Sequence, residues 1–109
     1  KQWKGWLRKQ LATCDIMLVL IGDTWATVTD GNGQIRLQNP EDWVRFEVQS
    51  GLEIPEVRVI PVLLKQAALP SRSQLPDVLR SLLDIQVAVL RSDPDFSNDV
   101  EQLISAIHS

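Results

Sequence analysis

Residues 16–21 read IMLVLI, six apolar side chains in a row with no polar residue among them. A strand with one wet face alternates apolar with polar residues, whereas a short unbroken apolar run suits a strand covered on both faces. Asp15 precedes the run, Gly22 and Asp23 close it, and it is far too short to cross a bilayer. It predicts a parallel strand with both faces buried. Parallel neighbours are joined by crossovers, usually helical, so the run also predicts an α/β chain with helices on either side of a sheet.

The flanking segments agree. Trp3, Leu7, Leu11 and Cys14 recur at helical spacing, with Lys1, Lys4, Arg8 and Lys9 expected outward, which predicts an amphipathic first helix. Asn39 as N-cap, Pro40 at the first helical position, and Glu41 and Asp42 at the positive end of the dipole predict a second helix. Val44, Val48 and Leu52 form its apolar stripe, Glu41 can pair with Arg45, and Pro55 ends it. VRVIPVLL, residues 57–64, predicts a second strand, with a bulge or a missing pairing at Pro61. A short helix follows Leu75-Pro76 with Val78, Leu79, Leu82 and Leu83. Residues 85–90 alternate as an edge strand with Ile85, Val87 and Val89 inward. A last helix from about Ser97 uses Phe96, Val100, Leu103, Ile104 and Ile107. Helix and strand alternating in this way imply right-handed crossovers and a parallel sheet sandwiched by helices.

Composition bounds the rest. A length of 109 residues suits one domain, and 44% hydrophobic with 23% charged residues is an ordinary globular balance. The net charge of −3 carries no basic nucleic-acid footprint. The opening KQWKGWLRKQ is a charged amphipathic stretch without an apolar h-region, and one cysteine, Cys14, fits a reducing compartment. A cytoplasmic protein without nucleic-acid or membrane partners is the expectation. One cysteine and one histidine cannot build a zinc site or a histidine-based triad within the chain.

Between the first strand and the second helix, Asp30-Gly31-Asn32-Gly33 tips a small hairpin or extended loop flanked by Val28-Thr29 and Ile35–Leu37. It is no calcium loop, because Val28 and Asn39 would occupy the two anchoring carboxylate positions. Nor does a third glycine complete a dinucleotide fingerprint, since position 36 is arginine. Lys65 follows the second strand without the acidic pair that phosphate-receiving regulator domains need, and His108 caps a helix end. Trp43 and Glu47, in EDWVRFE, are four apart and so neighbours on one helix face. A glutamate on an amphipathic helix is usually a solvated surface group, and an aromatic at a helix shoulder usually shields the core. Open parallel sheets nevertheless gather ligands at the carboxyl ends of their strands, where this helix begins.

Together CDIMLVLIGDTW, NPEDWVRFEV, VRVIPVLL, the LPDVL helix and NDVEQLISAI resemble a TIR (Toll/interleukin-1 receptor) domain of bacterial type, from about Cys14 to Ile107. The most specific match is Trp-x-x-x-Glu at Trp43 and Glu47. The resemblance implies a flavodoxin-like three-layer sandwich, truncated to about three parallel strands in the order 1-2-3, and Glu47 as the catalytic carboxylate of an NAD+ hydrolase, with NAD+ as substrate rather than cofactor. Trp43, beside Glu47 on its helix, and Trp25, just past the carboxyl end of the first strand, are then the candidate substrate-binding residues. It also implies signalling through contacts with other TIR domains. A non-catalytic adaptor is the alternative, and a related nucleoside-transferring enzyme a third reading. The family opens with a strand, a helix and a second strand that this sequence does not display. Ile16–Ile21 is then expected to be an exposed apolar edge that pairs in a homodimer or homo-oligomer.

Overall fold

The computed structural model describes residues 2–108. Its order is α1 (Gln2–Leu11), β1 (Ile16–Ile21), α2 (Trp43–Glu53), β2 (Arg58–Leu64), β3 (Ala88–Leu90) and α3 (Phe96–Ile107), with 3-10 segments at Arg36–Gln38, Arg72–Gln74 and Asp77–Asp84. The three strands are parallel in the order β1-β2-β3. The chain is an α/β protein with a flavodoxin-like three-layer arrangement. Lys1, expected on the outer face of α1, lies outside the described residues.

The period of two along each strand sorts side chains into two cores. Met17, Val19 and Ile21 of β1, with Val59 and Leu63 of β2, face α1, α2 and the 3-10 segment Asp77–Asp84; Leu7, Leu11, Val48, Leu79 and Leu82 close that side. Ile60, Val62 and Leu90 face α3 and meet Leu103. The second cover is one helix wide and lies over β2 and β3. On that face Leu18 and Leu20 are 43% and 53% exposed. β1 is therefore buried on one face only, not on both as its composition predicts. Its Cα register with β2 is complete from Ile16↔Arg58 to Ile21↔Leu63, while its other edge has no strand beside it among the described residues. The apolar edge expected at Ile16–Ile21 is there.

Three further expectations need correction. The N-cap of α2 is Asp42, whose Oδ2 accepts the Arg45 N–H at 3.0 Å, and not Asn39. Asn39 instead takes the Glu41 N–H with its own Oδ1 at 3.0 Å, a local turn that keeps Pro40 and Glu41 outside the helix. Second, Pro61 makes no bulge, for it pairs in register with Val19. Arg58 N donates to Asp15 O, and donors alternate sides along a strand, so the Pro61 nitrogen points toward β3. β3 begins only opposite Val62, and no ladder bond is lost. Third, the strand expected over 85–90 is cut to Ala88–Leu90, with Val89 outward and Leu90 buried. The helix after Leu75-Pro76 is a 3-10 segment whose Leu79 and Leu82 are fully buried.

Small residues set how close α2 comes to the sheet. A Cβ added at Gly51 would meet the Met17 thioether at 2.7 Å, and its neighbour Ser50 is fully buried. α1 is tied to α2 by Arg8–Glu53 at 2.8 Å and to the turn before α2 by Lys4–Glu41 at 2.7 Å, so two of the cations expected to face water are paired instead, and Glu41 meets Lys4 where Arg45 was the expected partner. No helix among the described residues is long and apolar enough to cross a membrane.

Candidate functional site

The segment from Gly22 to Asp42 forms an arch from the carboxyl end of β1 to the cap of α2. Thr29 and Ile35 form an antiparallel bridge, Asp30 Oδ1 accepts the Asn32 and Gln34 N–H groups at 2.8 and 3.1 Å, and Gly33 turns at φ 79°. Of the two forms expected, a small hairpin or an extended loop, it is a hairpin held by a single bridge. The positive φ is what makes glycine suit position 33. The chain then descends through Arg36–Gln38, with Leu37 buried, to the cap of α2.

A cavity of about 390 Å³ lies between this arch, the first half of α2 and β1. Four consecutive β1 residues, Met17–Leu20, line it. Consecutive strand residues point to opposite faces, so the cavity runs along the open edge of β1 rather than over one face of the sheet. Trp25 and Val28 close it from the arch, Val44, Glu47 and Val48 from α2, and Arg36 and Asp42 from the approach to the cap. Its size is at the lower end of small-molecule sites, and its mostly apolar walls with a few polar groups are of the usual kind.

Of the three expected site residues, Glu47 and Trp25 come together here. Glu47 is half-buried, and its carboxylate has no hydrogen-bond or ion-pair partner among the described residues. Trp25 is half-buried just past the carboxyl end of β1. Trp43 does not line the cavity. Its ring stacks on Trp3 with centroids 4.9 Å apart, and Phe46 meets the same Trp3 ring edge-on. The spacing of four does make Trp43 and Glu47 neighbours on α2, but α2 is flanked by α1 on one side and β1 on the other, and the aromatic is drawn to the α1 side. Trp43 thus packs helix on helix, and the wall expected of it is supplied by Trp25 and Val44.

Two residues that the sequence does not assign to the site, Arg36 and Asp42, complete the polar lining. The Asp42 carboxylate, buried, receives Arg36 Nε on Oδ1 at 2.9 Å while Oδ2 caps α2. Arg45, which follows the cap, donates Nη1 to Leu37 O at 3.3 Å. An Asp three residues before an Arg at a helix start is the signal that could have placed the cap; nothing in the linear order joins Arg36 to it. A second cavity, of about 440 Å³, sits at the tips of β2 and β3 beside Lys65 and Arg91. Arg91 is committed there to Asp99, donating N, Nε and Nη2 at 2.8, 2.9 and 2.9 Å. These bonds hold the Asp99 carboxyl down at about 2. No group of three metal-ligating side chains occurs among the described residues.

No model of a known protein family matches the chain, and no curated protein matches it.

Proposed function

We propose that the chain is a TIR-type signalling domain whose edge cavity cleaves NAD+ to nicotinamide and ADP-ribose. The observation that carries this reading is the unpartnered Glu47 carboxylate in a largely apolar cavity beside an indole. Cleavage breaks the bond between ribose C1′ and the pyridinium nitrogen. The electron pair leaves with neutral nicotinamide, positive charge builds on C1′ and the ring oxygen, and water then adds to C1′ and releases a proton. A fixed carboxylate next to C1′ stabilises that developing charge, and does so more strongly against low-dielectric walls than in water. The chemistry parallels glycoside cleavage with one carboxylate in place of two. Trp25 offers a flat apolar surface for the departing ring.

The test is chromatographic measurement of NAD+ loss and nicotinamide release by the chain and by Glu47→Gln. Turnover by the parent and its loss on substitution, with circular dichroism unchanged, is the expected result. Equal turnover in both removes Glu47 from the chemistry. The non-catalytic adaptor has its own support in the open edge of β1 with Leu18 and Leu20 uncovered, and absence of turnover by the parent favours it. Self-association through that edge belongs to both readings, because the stretch is uncharged and can pair with its own copy without opposing like charges.

A further inference from the structure

We propose that Arg36 is the anion-binding residue of the edge cavity, taking the phosphate attached to the ribose whose C1′ lies at Glu47. This rests on the NAD+ reading for the identity of the ligand, while the placement of the cation stands on its own geometry. Arg36 lines the same cavity as Glu47 but comes from a different element, the 3-10 segment before α2. Its Nε is held by Asp42 Oδ1 at 2.9 Å, and its two Nη groups have no partner among the described residues. The side chain is therefore fixed at its inner nitrogen and open at its fork. A guanidinium held this way loses little freedom when it binds, and its paired donors match two phosphate oxygens.

The charge on Asp42 opposes this benefit only in part. Both of its oxygens are already engaged, one by Arg36 Nε and the other by the Arg45 N–H at the start of α2, and the positive end of that helix offsets part of its charge. The cavity thus presents one free cationic fork and one free carboxylate. A nicotinamide nucleotide has the complementary pattern, cationic at the ring end of the ribose and anionic at the 5′ end. The volume of about 390 Å³ suits that nucleotide half, with the remainder of a dinucleotide passing out along the open side of the cavity.

The competing account is that Arg36 only braces the cap of α2. The two separate on ligands that differ by one phosphate. Titration calorimetry of the chain with nicotinamide mononucleotide and with nicotinamide riboside should give about tenfold or tighter binding of the phosphorylated ligand, the scale of a charge-assisted hydrogen-bond pair. Arg36→Gln should erase that preference, and Arg36→Lys should retain part of it. Equal binding of the two ligands by the parent overturns the proposal, as does no detectable binding of either. So does an Arg36→Gln variant that weakens both ligands equally, which is what a brace predicts. Failure of the catalytic reading looks different: the phosphate preference persists while NAD+ is not consumed, or is consumed equally by Glu47→Gln. The parent comparison needs no variant, so a misfolded substitution leaves the test intact.

Discussion

Asp42 is the side chain on which the start of α2 and the polar end of the cavity both depend, and Asp42→Ala measures how much. Two contributions are lost. Removing a side-chain N-cap acceptor costs about 1 kcal/mol. The bond from Arg36 would be worth more than that in a dry interior, but the Arg36 side chain is 43% exposed, and solvent screening holds the pair to below about 1 kcal/mol. The expected destabilisation is therefore about 1.5–2 kcal/mol. Asn in place of Asp keeps an oxygen that can accept the Arg45 N–H and loses chiefly the charge, so Asp42→Asn should cost less than half as much. Urea unfolding followed by tryptophan fluorescence reads both. With a slope of about 1 kcal/mol per molar for a small domain, the Ala variant should shift the midpoint down by about 1.5 M at unchanged slope. Hydrogen exchange at the Arg45 amide should accelerate in Ala and not in Asn. An Ala variant that unfolds at the parent midpoint, or Asn and Ala variants that are indistinguishable, would refute the assignment of Asp42 as the cap.

The Arg91–Asp99 pair gives the chain a pH dependence of known sign. The folded Asp99 carboxyl titrates at about 2 because of its bonds from Arg91, against 3.8 ordinarily. Between those values the unfolded chain holds the extra proton, so this stabilisation is complete above about pH 4 and lost as pH falls toward 2. Asp99→Asn should lower the urea midpoint at neutral pH and flatten the acid fall; a parent-like acid limb in that variant would mean other carboxylates set it. On the edge of β1, a Leu18→Lys, Leu20→Lys double variant places charge on side chains already 43% and 53% exposed. It should leave thermal stability within about 1 kcal/mol of the parent and reduce self-association seen by sedimentation velocity. Identical sedimentation of the two proteins, both self-associating, would put the contact elsewhere.

Much of this architecture is legible in the residues, and the failures have identifiable causes. The alternation of helix with strand and the parallel sheet follow from IMLVLI, VRVIPVLL and the spacing between them, whereas the three-strand order and the open apolar edge come from the resemblance. What a strand's own composition does not contain is how wide its covering layer is. Leu18 and Leu20 look like core residues, yet α3 covers only β2 and β3. The cap of α2 is hard to place from sequence because Asn39 and Pro40 are strong local signals, and a turn closed by the Asn39 side chain uses the same residues as a helix start. Pro61 is harmless through strand parity and the late start of β3, both long-range facts. For the candidate site, Glu47 and Trp25 could be read from the chain, but the direction taken by Trp43 depends on Trp3, 40 positions earlier. Arg36 is not legible for a different reason: its partner is only six residues on, but that carboxylate also caps a helix, and nothing in the local pattern joins the two.

The cavity and the open edge are one feature seen from two sides. Leu18 and Leu20 line the first and stand bare on the second. A strand added beside β1 would therefore change the walls around Glu47, and a ligand seated against Leu18 and Leu20 would change what that strand meets. Under the proposed function, association and ligand binding are then coupled, and the coupling must run both ways with equal size. Dissociation constants for nicotinamide mononucleotide measured at rising protein concentration should shift in the direction in which the ligand shifts the sedimentation profile. Opposite signs for the two shifts cannot occur at equilibrium, and two null shifts would separate the edge from the site.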